Sequence, residues 1–293
     1  MKWFGYTGPY LIPLCLILPS IILRFSSIEP FHRGYFCLDS SIQYPFNEYQ
    51  TVPFYLCAVI WLGFCIAHLS LVFIAKKSWK LLHETVYKLL LGFCICMLVT
   101  DVSKFSVGRL RPYFMTVCNP DVDNICYDTN VSNFQQEDNE TYYFPDIHHQ
   151  RYVQDEDTCS SLTDKSMLKE ARLSFVSGHS SSSFYTAVYI IILTRTQAAN
   201  SPWLIKILLQ LSSILMAFWI SLTRISDYMH HPEDVIMGAI IGTLCAFFMH
   251  RFHPYKDRLH ACSSSSINNR DEAKHLKEET PLANIQLKEG IGT

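Results

Sequence analysis

The sequence is short of charge. Only 17% of its 293 residues are Asp, Glu, Lys or Arg, against about 25% in a typical soluble domain. It also lacks an excess of positive charge. Its 24 basic residues face 26 acidic ones, a net of −2, which excludes a nucleic-acid binder driven by bulk electrostatics. There is no internal repeat, no glycine-rich phosphate loop of the P-loop or dinucleotide-binding kind, and no Cys/His spacing suited to zinc. What is abundant is apolar, at 49%, and aromatic, at 14%. The mean hydropathy of +0.12 averages long apolar runs with an acidic middle segment and a polar tail.

A bilayer core about 30 Å thick takes roughly 20 helical residues to cross. Six stretches have that length: Phe4 to Phe25, Val52 to Ala75, Thr85 to Val102, Val176 to Thr194, Leu204 to Leu222 and Asp234 to Phe252. The first holds Pro9, Pro13 and Pro19 and reads as a kinked span. No small-residue cleavage site follows Leu23, which argues against a signal peptide. Short loops carrying Lys76, Lys77 and Lys80, then Arg195, then Arg251, Lys256 and Arg258 mark one side as cytoplasmic. The segment from Lys104 to Phe175, with 7 basic and 12 acidic residues, falls on the other. The expected fold is therefore an all-α integral membrane protein: a six-transmembrane-helix bundle over residues 1–256, with both termini cytoplasmic and a long lumenal or extracellular loop. The polar residues 257–293 are expected to form a disordered cytoplasmic tail.

Two glycosylation sequons, at Asn130 and Asn139, fall in that loop. Of 11 cysteines, Cys37, Cys118, Cys126 and Cys159 lie on the oxidising side, an even number that allows two disulfides in any of three pairings. Cys262 stands in the tail.

Charge at a membrane face is costly unless it is used, and three polar clusters gather at the same end of the spans. The first runs from Lys104 to Pro112, with Lys104 and Arg111 spaced to share one face of a helix. The second, Ser174 to Ser180, opens the fourth span. Ser177 is expected to cap that helix, whose free amides favour an anion, Gly178 allows close backbone approach, and His179 can move a proton. The third, Thr223 to Asp234, joins spans five and six, and its His230 and Asp234 are four apart. Read alone, these are a snorkelling basic helix end, a serine-rich cap and a solvated loop. Read together, they make a phosphate site with two histidines, one to attack phosphorus and one to protonate the leaving oxygen, with cations to stabilise the developing charge.

Lys-x6-Arg-Pro (Lys104 to Pro112), Ser-Gly-His (Ser177 to His179) and Arg-x5-His-x3-Asp (Arg224 to Asp234) resemble the three-part signature of the type 2 phosphatidic acid phosphatases. The segment Pro30 to Cys37 is similar to that of the animal lipid phosphate phosphatases in particular. The resemblance implies that His230 is the nucleophile that forms a phosphohistidine, oriented by Asp234. It implies that His179 is the acid, then the base, and that Lys104, Arg111, Ser177, Gly178 and Arg224 bind phosphate. It further implies lipid phosphate substrates such as phosphatidate, lysophosphatidate, sphingosine 1-phosphate and ceramide 1-phosphate, no metal or other cofactor, no nucleic-acid partner, and a homo-oligomer. The compartment it implies is first the plasma membrane, with endoplasmic reticulum or Golgi as alternatives. Val176 and Thr223 depart from the usual signature without removing a catalytic group. Glu233, beside the paired histidines, is expected to raise the pKa of His230. Two other readings stay open: a catalytically silent relative acting as a scaffold, and an enzyme using the same chemistry on another phosphate ester.

Overall fold

A segment with no water around it must satisfy its own backbone polar groups, so the apolar runs fold as helices. A computed structural model describes residues 11–37, 39–121, 152–154, 159–160, 164–198 and 200–251. The architecture is that of the unit Met1–Met249; of the second unit, His250–Thr293, only the last two residues of the final helix are described. Asn130, Asn139, Cys126, Cys262 and the tail 257–293 lie outside the described residues.

The described elements are, in chain order, α1 (Leu11–Phe25), β1 (Tyr35–Phe36), α2 (Phe54–Lys76), α3 (Trp79–Val107), α4 (Phe114–Cys118), β2 (Tyr152–Val153), α5 (Lys165–Ala171), α6 (Gly178–Gln197), α7 (Trp203–Ser226) and α8 (Pro232–Arg251). Four of the helices, α2, α3, α7 and α8, are long and apolar enough to cross a membrane. Large apolar side chains such as Leu62, Leu208 and Phe248 stand exposed on them. The described part of α1 has 15 residues with Pro19 inside it. Helix α6 has 20 residues, the length of a span, but not the composition.

The polarity of α6 has a physical reason. It packs against α2, α3 and α7 and is buried along most of its length, so it faces protein rather than lipid. Its hydroxyls are satisfied in two ways. Ser182 and Thr186 donate back to the carbonyls four residues earlier, at 2.8 and 2.9 Å. Ser183 accepts from Trp61 Nε1 of α2 at 2.9 Å, and Ser181 shares a hydrogen with Thr100 of α3 at 2.8 Å. Polar contacts of this kind hold helices together where there is no hydrophobic drive between them.

Small residues let α8 approach α6 closely. A Cβ at Gly238 would stand 2.6 Å from the Ser177 carbonyl oxygen, and one at Gly242 would collide with that of Ser181. The four-residue spacing places both glycines on one helix face.

Helix α3 runs beyond the Thr85 to Val102 stretch expected from hydropathy. Ser78 caps it by accepting from the Leu81 amide. Gly108, at φ 56°, ends it by donating to the Lys104 carbonyl at 3.0 Å. Only glycine fits there twice over: the left-handed φ is costly for other residues, and a Cβ would collide with the Phe31 carbonyl. The helix thus ends before Arg111. This corrects the expectation that Lys104 and Arg111 share one helical face: a left-handed turn brings them together instead.

Beyond these helix ends lies a small cap. Strands β1 and β2 pair antiparallel, Tyr35 opposite Val153, and pack with Leu110, Phe114, Ala171 and Met229 in a core of their own. A disulfide joins Cys118 to Cys159, and Cys37 is also disulfide-bonded.

Replacing Gly242 by Leu is expected to force α8 off α6 and to lower stability by about 1–3 kcal/mol, the usual range for overpacking. The same change at Gly63, where a Cβ meets nothing within 4 Å, is expected to be neutral. Thermal melts of both variants in detergent check this.

Candidate active site

The cap and the helix ends enclose a cavity of about 220 Å³. Lys104 reaches it from the last turn of α3, Arg111 from the following turn, Gly178 and His179 from the first turn of α6, and Arg224 from the last turn of α7. His230 enters from the loop before α8. The three separated sequence clusters therefore meet at one place.

Each cation is held. Lys104 Nζ donates to the Leu173 carbonyl at 2.8 Å. Arg111 donates to Glu170 at 2.9 Å and to the Tyr113 hydroxyl at 3.1 Å. Arg224 is only 1% exposed and donates to Gln50 and Asp227, both at 2.9 Å. Asp227 is fixed in turn by the amide and hydroxyl of Thr51, at 2.8 and 2.7 Å. Three buried cations round one cavity repel one another, and a bound anion relieves that repulsion. Among the described residues, Arg111 Nε and His179 Nε2 are buried with no hydrogen-bond partner. A buried polar atom left alone costs about 1–3 kcal/mol, so these atoms too are suited to an occupant of the cavity.

His230 is placed by the turn that follows α7. The amides of Met229 and His230 both donate to the Arg224 carbonyl, at 3.0 and 3.1 Å, with Tyr228 at φ 56° between the helix and the loop. Its Nδ1 lies 2.6 Å from the Ser174 carbonyl oxygen. A carbonyl only accepts, so Nδ1 carries the hydrogen and Nε2 keeps its lone pair. Burial, with Lys104, Arg111 and His179 nearby, pushes the pKa of His230 well below its ordinary value, which keeps the ring neutral.

Asp234 is not in hydrogen-bond reach of His230: the nearest separation is 4.0 Å. Its carboxylate, fully buried, instead accepts from Ser174 Oγ at 2.6 Å, Arg109 at 2.7 Å and the His231 amide at 3.1 Å. Its carbonyl accepts from the Ser177 amide at 3.0 Å. Ser174 lies between the two, its hydroxyl on Asp234 and its carbonyl on His230.

Ser177 caps α6 by accepting from the Ser180 amide and is not among the residues that line the cavity, whereas Gly178 is. His231 faces a second cavity of about 300 Å³ with Arg33 and Arg109, and its Nδ1 stands 3.3 Å from Asp234. Glu233 is two-thirds exposed and pairs with Arg109 at 3.3 Å. The expectation that Glu233 raises the pKa of His230 is overturned, because burial and three basic neighbours lower it.

Several cavity residues went unassigned from sequence: Arg24, Gln50, Asp101 and Glu170. Asp101 had a signal, being a carboxylate inside an apolar span three residues before Lys104. Arg24 had a weaker one, as a charge at the end of the first apolar run. Gln50 and Glu170 had none. Among the described residues no group of three or more His, Cys, Asp or Glu side chains is placed to hold a metal ion.

Comparison with known proteins identifies the family. The model of the PAP2 superfamily matches residues 85–258, which include all three clusters. The chain is 33% identical over 263 residues to phospholipid phosphatase 1 of Rattus norvegicus, covering 82% of this chain and 83% of that protein. It is 30% identical over 250 residues to phospholipid phosphatase 2 of Homo sapiens, covering 80% and 78%. A putative phosphatidate phosphatase of Drosophila melanogaster is 32% identical over 269 residues, covering 80% of this chain and 65% of that one. No solved structure matches the chain. The three sequence clusters meet at one cavity and the similarity runs along most of the chain: it belongs to the PAP2 superfamily, as a relative of the phospholipid phosphatases.

Proposed function

We propose that this protein hydrolyses lipid phosphate monoesters, such as phosphatidate and lysophosphatidate, through a covalent phosphohistidine on His230. The observation that carries the reading is the pair of histidines in one cavity with Lys104, Arg111 and Arg224. The Nε2 lone pair of His230 attacks phosphorus, the bond from phosphorus to the alkyl oxygen breaks, and protonated His179 gives its proton to the departing oxygen. Water then attacks the phosphorus–nitrogen bond while His179 takes the proton from that water, so that phosphate leaves and His230 is restored. The three cations stabilise the charge on the equatorial oxygens, and Gly178 at the start of α6 adds the positive end of a helix.

The membrane setting follows from the exposed apolar faces of α2, α7 and α8. Lys76, Lys77 and Lys80 flank the end of α3 remote from the cavity, and Arg195 the corresponding end of α6. By the positive-inside rule these ends are cytoplasmic, and the cavity opens on the extracellular or lumenal side. Counting α1 and the protein-buried α6, six helices cross the bilayer and both termini are cytoplasmic. The sequons at Asn130 and Asn139 belong to the segment that leaves the cavity side after α4. A site at the membrane surface suits a substrate whose head enters the cavity while its chains stay in lipid.

Phosphate release from phosphatidate in detergent micelles tests the reaction. Activity is expected to survive EDTA and to fall at least about 10³-fold in His230→Ala. No release by folded wild type from any lipid phosphate would refute it. A smaller loss, about 10²–10⁴-fold, is expected for His179→Ala, the range for a general acid.

The lowered pKa of His230 has a consequence for pH. The neutral, nucleophilic ring persists above its folded-state pKa and is lost only as pH falls through it, so the acid limb assigned to His230 lies below about 6.5. Glu233→Gln, whose carboxylate is two-thirds exposed and pairs with Arg109, is expected to leave that limb unmoved; profiles of kcat/KM against pH for both proteins decide it.

A further inference from the structure

One ion pair in the cavity is not used by the phosphoryl chemistry. Arg24, in the last turn of α1, grips Asp101 of α3 with two hydrogen bonds, Nε to Oδ2 at 3.0 Å and Nη2 to Oδ1 at 2.7 Å. Asp101 is 1% exposed, whereas the Arg24 side chain is 36% exposed, and both line the cavity. Among the described residues no hydrogen bond engages Arg24 Nη1, so one face of the guanidinium remains a donor.

Their position relates them to one side of the reaction. The Phe54 ring stands edge-on to His179 at 5.9 Å between centroids and carries the Arg24 guanidinium 5.9 Å from its own centroid. In an in-line displacement the leaving oxygen departs opposite the nucleophile, hence away from His230 and toward His179. The alcohol behind that oxygen then lies along Phe54 and Arg24.

The substituent beside this arginine is chemically distinctive. The carbon next to the one bearing the leaving oxygen carries a hydroxyl or acyl oxygen in a glycerolipid phosphate, a free ammonium in a sphingoid base phosphate, and a neutral amide in its N-acylated form. We propose that Arg24 is a specificity-determining residue of this site, selecting lipid phosphates with an uncharged hydrogen-bond acceptor at that carbon over those with a free amine. This rests on the assignment of His179 to the leaving oxygen. An acceptor meets the free Nη1–H; an ammonium meets a like charge there, because the Asp101 carboxylate is turned to Arg24 by two hydrogen bonds. Discrimination by a repulsive group as well as an attractive one is the usual route to specificity.

The test compares kcat/KM for lysophosphatidate, sphingosine 1-phosphate and ceramide 1-phosphate, each at the same mole fraction in detergent micelles, for wild type, Arg24→Gln and Arg24→Lys. In Arg24→Gln the freed Asp101 carboxylate attracts the amine, and the ratio of sphingosine 1-phosphate to ceramide 1-phosphate is expected to rise at least about fivefold. Arg24→Lys keeps the cation and is expected to hold that ratio at the wild-type value while turnover of lysophosphatidate falls. Equal losses on all three substrates in Arg24→Gln would reduce the pair to a structural role and overturn the proposal. If Arg24→Gln turns over nothing, a ratio in Arg24→Lys that moves toward the amine overturns it, and an unmoved ratio supports it. Absence of any lipid phosphate hydrolysis by folded wild type would remove the enzymatic reading itself, and the proposal with it.

Discussion

The buried carboxylate of Asp234 is the contact on which the site depends. It receives Arg109 from the first sequence cluster and Ser174 from the second, while its own backbone carbonyl receives the Ser177 amide that starts α6. Three segments far apart in the chain are therefore tied at one residue with no exposed surface. A buried charge is tolerated only when fully partnered, and here the partners are the parts of the machinery. The same carboxylate holds the segment whose Ser174 carbonyl fixes the tautomer of His230. Positioning and protonation are thus set by one network, and removing one member leaves the rest uncompensated.

The cations pose the opposite problem. Lys104, Arg111 and Arg224 must stay charged and stay close with no anion bound. Glu170, Asp227 and the Leu173 carbonyl compensate them, and polar edges such as Arg111 Nε are left unengaged. Cations held in this way round a cavity suit an anion, and under the proposed reaction they would meet the phosphate without reorganising.

Much of this was legible in the sequence. Lys104, Arg111, His179, Arg224, His230 and Asp234 announce themselves because charge and histidine at the ends of apolar runs need a reason, and Ser177 reads as a cap from its place before a helix. What could not be read is how these residues reach one another. Gly108 breaks α3 four residues after Lys104, so a helical spacing rule misplaces Arg111. Asp234 is one turn from His230 in sequence yet bonds to Ser174 and Arg109, since a heptad-scale rule knows nothing of a partner 60 residues away. The Val176 to Thr194 stretch reads as a span by its length, but the reason for its many hydroxyls lies in the helices packed around it, which the sequence does not show. Gln50 and Glu170 enter the cavity through tertiary contacts alone.

The account turns on a covalent bond between phosphorus and one particular histidine. Rapid quenching of the protein during turnover of phosphate-labelled phosphatidate, followed by peptide mapping under alkaline conditions, tests it most directly. The account predicts acid-labile label on His230 in the wild type and none in His230→Asn. Label on His231 or His179, or active protein that never carries label, would contradict it.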